Sequence, residues 1–134
     1  MRAVTTQLDD AIDLTDVAGA DGYLFVRDGV GFAGRGVAAR VPIDEAVAFL
    51  AAIGHDDRVG DTSGPIALGA VPFLPGAPAS LTVPALTIGK DRAGRVWQTR
   101  LHDGASHNAL GARYGSHRLQ RAVSSSYASG RRSR

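Results

Sequence analysis

The chain has 134 residues, which is enough for one domain of ordinary size. It is 44% apolar and 21% charged, with 17 glycines and 6 prolines, which is enough apolar material for a core, although a domain of this length buries only about 60–70% of its unfolded-chain surface. It contains no cysteine, which excludes disulfides, thiolate nucleophiles and cysteine-ligated zinc.

The net charge of +2 combines two parts of opposite sign. Residues 1–103 contain 9 Lys or Arg and all 13 acidic residues, a net charge of −4, whereas residues 104–134 contain 6 Arg and no acid, a net charge of +6. We therefore expect a body, 1–103, and a basic tail, 104–134, whose Ser- and Arg-rich composition predicts disorder. The sequence shows neither a signal-peptide pattern nor an apolar run of ~20 residues, so we expect a cytoplasmic protein without membrane contact.

The first predicted elements lie in the N-terminal third of the body. Residues 1–20 have only a weak helical pattern and are predicted to be irregular or marginally helical. Aromatic and β-branched residues predict a strand over 23–27, and Asp28-Gly29 is typical of a tight hairpin turn. The returning strand is predicted over 30–35 and 37–41, with a glycine bulge between them.

The strongest helix pattern covers residues 42–54. Pro42 suits a first helical turn, Asp44 and Glu45 suit the positive end of the helix dipole, and Gly54 suits a left-handed cap. The apolar residues of this helix occupy a wide arc: Ile43, Val47, Phe49, Leu50 and Ile53. Such an arc predicts cover from more than one side.

The second half of the body reads as a loop followed by three strands. Residues 55–64 are polar and predict a loop, whereas 65–73 are apolar at odd and even positions, as in a strand buried on both faces. After a Pro/Gly loop over 74–80, a strand is predicted over 81–88. Its Pro84 favours an edge or a bulge, because proline has no N–H to donate.

A second hairpin is predicted to end the body. Residues 89–94 form a charged turn, and 95–101 form the closing strand. This strand has Trp97, Thr99 and Leu101 on one face. We expect Trp97 and Phe73 to be core residues rather than a ligand platform.

Four segments, in order, resemble the N-terminal region of isochorismate synthases, which belong to the chorismate-utilising enzymes. The segments are 22–40 (GYLFVRDGVGFAGRGVAAR), 64–73 (GPIALGAVPF), 81–89 (LTVPALTIG) and 94–99 (GRVWQT). The resemblance implies an α+β fold, with antiparallel strands and one main helix forming a partial layer of a larger chorismate-enzyme α/β sandwich.

The resemblance also implies the Mg²⁺-dependent conversion of chorismate to isochorismate, in menaquinone or siderophore biosynthesis. In that family a lysine activates water and several glutamates act as acid and as metal ligands. The single lysine and single glutamate here, Lys90 and Glu45, lie in no matching motif, and one glutamate is a poor Mg²⁺ site. We therefore expect no catalytic, cofactor or metal residue in this chain. We expect a fragment, truncated or frameshifted before the catalytic region and inactive alone.

Three other patterns suggest chemistry and are better explained otherwise. Gly29, Gly31 and Gly34 match a dinucleotide fingerprint, but no helix is predicted to open there, so we expect a hairpin. The spacing of His102, Asp103 and His107 fits no metal motif. Ser116 and His117 are sequence neighbours without the strand-turn-helix elbow of a nucleophile.

Two interpretations of the whole chain remain open. The wide apolar arc of 42–54 and the two-sided strand 65–73 predict a missing layer, supplied by a separate catalytic chorismate-binding chain or by self-association through an exposed apolar face. The alternative is a small binding module whose tail contacts nucleic acid or another acidic partner. A specific nucleic-acid site is not expected, because the tail has only Tyr114 and Tyr127 for stacking.

Overall fold

The fold is organised around a six-stranded mixed sheet. The computed structural model describes residues 1–60 and 63–103. Its elements are β1 (Arg2–Leu8), α1 (Leu14–Ala18), β2 (Tyr23–Arg27), β3 (Val30–Arg35), β4 (Ala39–Pro42), α2 (Ala46–Ala51), β5 (Gly54–Asp57), β6 (Ser80–Val83), β7 (Leu86–Lys90) and β8 (Val96–His102). The large sheet has the order β2-β3-β7-β8-β1-β5, and β4 and β6 form a second sheet. Only the β1–β5 pair of named strands is parallel, so the predicted α+β class with mainly antiparallel strands is confirmed.

The N-terminal segment is a strand inside the large sheet. β1 pairs with β8 over seven positions, from Arg2↔His102 to Leu8↔Val96, and with β5 on its other side. The prediction that residues 1–20 are irregular or marginally helical is therefore wrong for β1. Only the five residues of α1 are helical, and the Asp13 side chain caps them by accepting the Thr15 N–H at 2.8 Å.

The first hairpin is confirmed. Asp28 and Gly29 have φ values of +55° and +76°, as a two-residue turn with two left-handed positions requires. The returning strand, however, ends at Arg35. Gly36, at φ +68°, lies between β3 and β4, and β4 pairs with β6 in the second sheet instead of extending the hairpin.

The helix predicted over 42–54 is shorter than expected. Pro42 belongs to β4, and the Ile43 N–H donates to the Ala79 carbonyl at 3.0 Å, which holds this part of the chain against the β6 side. α2 therefore begins at Ala46, after Asp44 and Glu45, and it ends at Ala51. Gly54 starts β5 and does not cap the helix. No helix in the described part of the chain is long and apolar enough to cross a membrane.

Two neighbouring predictions are wrong in opposite directions. Residues 55–64, predicted to be a loop, begin with β5, which pairs in parallel with β1. Residues 65–73, predicted to be a buried strand, form only one isolated bridge, Leu68↔Thr82. Proline at positions 65 and 72 removes donors that a longer ladder would need.

The predicted strand 81–88 is two strands in two sheets. β6 pairs with β4 and β7 pairs with β3 and β8, and buried Pro84 lies between β6 and β7. The turn and the closing strand of the second hairpin are confirmed. In that turn the Asp91 carboxylate accepts from the Arg95 N–H at 2.9 Å and from Arg95 Nε at 2.7 Å.

Two apolar clusters form the core. In the first, α1 packs on one face of the large sheet; its buried members are Leu14, Val17, Ala18, Ala33, Ile88 and Val96. In the second, Val41, Ala46 and Val83 join the small sheet to α2, and Leu101 of β8 packs against them. Because side chains alternate along a strand, Leu101 lies on the face opposite to Val96. The two clusters therefore lie on opposite faces of the large sheet.

Of the two aromatic residues expected in the core, one is buried and the other is exposed. Trp97 is 2% exposed and meets Phe32 edge to face, with ring centroids 6.3 Å apart, so its prediction is confirmed. Phe73 is fully exposed, so its prediction is wrong. The Trp97 ring lies directly over Gly89, where a Cβ atom would approach the ring to 2.3 Å.

Replacing Gly89 with Ala should therefore destabilise the body. Overpacking of this kind costs about 1–3 kcal/mol, because the indole cannot move without disturbing Phe32. The free energy of unfolding, measured by urea denaturation, should fall by that amount. Gly54→Ala is the matched control, since nothing lies within 4 Å of its Cβ position, and it should change stability by less than about 0.5 kcal/mol. Equal effects of the two variants would contradict the packing described here.

Candidate functional site

The most developed polar cluster joins three strands at one side of the large sheet. Thr5 of β1 and Thr99 of β8 are register partners, and their hydroxyl oxygens are 2.7 Å apart. Thr5 Oγ1 is also 2.8 Å from Nε2 of His55 on β5. Both threonines are buried, whereas the His55 side chain is 24% exposed. The cluster therefore runs from the interior of the sheet to its β5 edge.

Asp57 extends this cluster into the loop that follows β5. Its Oδ1 accepts the N–H groups of Val59 at 2.8 Å and Gly60 at 3.3 Å, and its Oδ2 accepts from the Ser63 hydroxyl. Partial burial raises the pKa of Asp57, but the hydrogen bonds from Ser63, Val59 and Gly60, with a smaller contribution from His55, hold that pKa below its usual value of 3.8. The Asp57 carboxylate, in its charged form, thus fixes the conformation of the loop.

The geometry of this cluster fits a structural role better than a catalytic one. In a nucleophile–base–acid relay the carboxylate orients the imidazole through one ring nitrogen, while the other takes the proton of the nucleophile. Here Asp57 Oδ2 is 3.8 Å from His55 Nε2, the same nitrogen that contacts Thr5. The Thr5 hydroxyl is also fully buried and committed to Thr99. These contacts hold β5 and its loop against β1.

Sequence reasoning missed this cluster because it placed His55 and Asp57 in a loop and residues 1–20 outside the sheet. The sequence does contain one local signal for the strand β1 and another for the loop that follows β5. Val4, Thr5 and Thr6 are consecutive β-branched residues, which favour a strand. Asp57 is followed by Val59 and Gly60 in the pattern of an Asx turn.

The glycines of the dinucleotide fingerprint lie in the hairpin. Gly29 is in the turn, and Gly31 and Gly34 are in β3. A Cβ atom at Gly31 would lie 2.0 Å from the Phe25 carbonyl oxygen, and one at Gly34 would lie 2.7 Å from the Pro84 ring. These glycines permit close strand packing. The next helix, α2, begins only at Ala46, so no helix N-terminus faces a phosphate here.

The other predicted candidates are not brought together by the structure. Lys90 ends β7, and Glu45 immediately precedes α2. His102 ends β8 and is the register partner of Arg2. Among residues 1–60 and 63–103, no group of three or more His, Asp or Glu side chains is arranged to hold a metal ion. The described residues therefore do not fit the Mg²⁺ implied by the resemblance.

Several remaining predictions concern residues outside the described ranges. These are His107, Tyr114, Ser116, His117, Tyr127 and the basic tail as a whole.

An apolar surface remains uncovered on the body. The segment 71–74 exposes Val71, Phe73 and Leu74, and α2 exposes 80% of Val47. Large apolar side chains that are exposed as a group mark interaction surfaces more often than isolated ones do. The prediction of a missing layer rested on the apolar arc of 42–54 and on a strand over 65–73. That strand does not form, and Val71 and Phe73 of this segment are exposed.

No protein-family model, curated protein or solved structure matches this chain.

The Asp57 contacts generate a prediction about pH. Since the folded pKa of Asp57 lies below 3.8, its stabilising contribution is complete above pH 3.8 and is lost as the pH falls through the folded pKa. Asp57→Asn should lower the free energy of unfolding by about 1 kcal/mol near neutral pH, because the charge-assisted bond from Ser63 is weakened. The difference from the unmodified chain should shrink below pH 3.8. Urea denaturation at a series of pH values measures both effects.

Asp56→Asn is the matched control, because Asp56 points to the opposite side of β5 from Asp57. A loss that is equal for both variants, or one that persists undiminished in acid, would contradict the role assigned to Asp57.

Proposed function

We propose that this chain is the non-catalytic N-terminal part of an isochorismate synthase-like enzyme of the cytoplasm. The observation that carries the proposal is the agreement between the resembling segments and the sheet. Segments 22–40, 81–89 and 94–99 overlap β2, β3, β7 and β8, which are four consecutive neighbours in the large sheet, and they also overlap β4 and β6 of the second sheet. Segments with a common origin in one set of packed strands would have this arrangement.

The fourth resembling segment, 64–73, supports a second part of the proposal. It is apolar, pairs with β6 through Leu68 alone, and leaves Val71 and Phe73 in solvent. We infer that a chorismate-binding region covers it in the working enzyme. That region would supply the chemistry of isomerisation, with the Mg²⁺ that the resemblance implies for a full-length relative, while the present chain would supply outer strands.

The proposal predicts inactivity alone and activity on complementation. The purified chain with chorismate and Mg²⁺ should form no isochorismate above the uncatalysed rate. Added to the chorismate-binding region of an isochorismate synthase whose own N-terminal strands have been removed, it should bind that region and raise isochorismate formation. Isomerisation by the chain alone, or the absence of any binding in calorimetry, would contradict the proposal.

Phe73→Ser tests the contact surface within the same experiment. Burial of one Phe side chain contributes about 2 kcal/mol, so the substitution should weaken binding of the chorismate-binding region by roughly thirtyfold. Because Phe73 is fully exposed, the free energy of unfolding should change by less than about 0.5 kcal/mol. Val26→Ser, on the hairpin, is the control and should leave this binding unchanged. Equal weakening by both variants would argue against the 71–74 surface.

The separation of charge favours a second candidate, a small binding module with an acidic partner. The tail 104–134 has a net charge of +6 and the body a net charge of −4. This candidate predicts binding to nucleic acid that weakens steeply with salt, as counterion release requires, and that is lost when 104–134 is deleted. Filter binding over a range of salt concentrations distinguishes it, since the first candidate predicts no such dependence.

A further inference from the structure

The loop that leads into β6 is fixed to the fold at its base. At its beginning, Leu68 and Thr82 exchange two backbone hydrogen bonds, at 2.8 and 2.7 Å. At its end, the Ala79 carbonyl accepts from the Ile43 N–H at 3.0 Å. The intervening residues 69–78 therefore form a protrusion whose two ends are held against the second sheet.

The tip of this loop is a tight turn. The Ala77 N–H donates to the Leu74 carbonyl at 3.3 Å, and Gly76 has a φ of +77°. A type II turn favours proline at its second position and requires a left-handed residue at its third, and Pro75 and Gly76 supply them. Proline also fixes its own φ, which removes freedom that an unbound loop would otherwise have. The tip is thus held in one conformation before any partner binds.

The turn presents two of the most exposed apolar side chains among the described residues. Phe73 precedes the turn and is fully exposed, and Leu74 begins it and is 73% exposed. The sequence from residue 64 to residue 89 contains no charged residue and no histidine. A rigid apolar projection of this kind loses little conformational freedom on binding, which is what makes an anchor residue effective.

We propose that the 74–77 turn is a preformed anchor, which inserts Phe73 and Leu74 into an apolar cavity of the chorismate-binding region. This inference rests on the proposed function. The loop directly continues the resembling segment 64–73, which the proposed function assigns to the contact with that region. The cavity would have no unpaired charge, because a charge buried against a charge-free loop is costly.

The composition of the loop fits other kinds of partner poorly. A nucleic acid or an acidic protein would find no basic group between residues 64 and 89. An added strand could not pair along the loop, because Pro72, Pro75 and Pro78 have no N–H to donate.

The small size of the tip favours a cavity over a membrane or a second copy. Phe73 and Leu74 together bury less apolar surface than one myristoyl chain, which itself binds a membrane only marginally. A second copy would have to receive the tip, whereas its other strongly exposed apolar side chains, Val47 on α2 and Phe25 on β2, project into solvent themselves. A concave apolar receptor on a different chain satisfies the tip best.

Substitutions at Gly76 test the turn without removing a contact side chain. Nothing lies within 4 Å of its Cβ position, so a substitution acts through φ and not through a clash. Calorimetry measures binding of the full chain to the chorismate-binding region of an isochorismate synthase that lacks its own N-terminal strands. Gly76→Ala should weaken this binding about tenfold, because alanine disfavours a left-handed φ. Gly76→Asn should weaken it less than about threefold, since asparagine adopts this φ more readily although its side chain is larger.

Gly94→Ala is the matched control. Gly94 has a φ of +83° in the turn between β7 and β8, and nothing lies within 4 Å of its Cβ position either. The substitution therefore introduces the same backbone strain away from the loop, and it should leave binding unchanged. Urea denaturation establishes that each variant is folded under the conditions of the binding measurement.

The outcomes separate the anchor from the proposed function. If the unmodified chain does not bind the region, the proposed function fails and the anchor fails with it. If the unmodified chain binds, the anchor alone is overturned when Gly76→Ala binds as tightly, or when Gly76→Asn binds as weakly as Gly76→Ala. Binding to vesicles of phosphatidylcholine and phosphatidylserine, or self-association in sedimentation, would also overturn it if Gly76→Ala weakened that association.

Discussion

The pairing of β1 with β8 is the constraint on which the described fold depends. It joins the first strand to the last over seven register positions, and it places β1 where β5 can pair with its other side. The buried contact between the Thr5 and Thr99 hydroxyls lies within this pairing, and through Thr5 it reaches His55 on β5. Without β1, the sheet would end at β8, and β5 would have no partner in the strand order. The polar cluster is therefore best understood as a structural contact that joins β1, β5 and β8, and not as a reaction centre. Each of its hydroxyl and carboxylate groups already makes a hydrogen bond within the fold.

Gly36 and Pro84 mark the places where the chain passes between its two sheets. Gly36, with a left-handed φ, connects β3 of the large sheet to β4 of the small one, and Pro84 lies between β6 and β7 in the return path. The two crossings face each other, since a Cβ atom at Gly36 would lie 3.2 Å from Ala85. The result is a small layer of β4, β6 and α2 against Leu101, while α1 covers the opposite face of the sheet. If the chain had continued as one strand through Gly36 and Pro84, β4 and β6 would not form the second sheet that packs against Leu101.

Local chemistry was sufficient to predict some elements, and the reason is the same in each case. The β2–β3 hairpin, its Asp28-Gly29 turn and the final strand with Trp97 inside were predictable because their pairings are between sequence neighbours. β1 and β5 were not, since Arg2 pairs with His102 and Gly54 with Arg2, and neither pairing leaves a local pattern. The helix predicted over 42–54 is too long at its start because Pro42 belongs to the strand β4, where it pairs with β6. Residues 65–73 are apolar without being a buried strand: Val71 and Phe73 are in solvent, so apolar composition alone does not predict burial there. The polar cluster depended on both missed strands, so it could not be predicted.

The distribution of exposed apolar groups separates two kinds of open surface. At 71–74 the exposed groups are side chains of an irregular segment, which can be covered by any partner with a complementary cavity. At β2 the exposed groups include the backbone itself, and backbone donors and acceptors require a strand. A strand partner must also match side chains in a fixed register, because a slip of one residue exchanges the two faces of the sheet. The β5 edge carries adjacent aspartates, so an antiparallel copy there would bring like charges together.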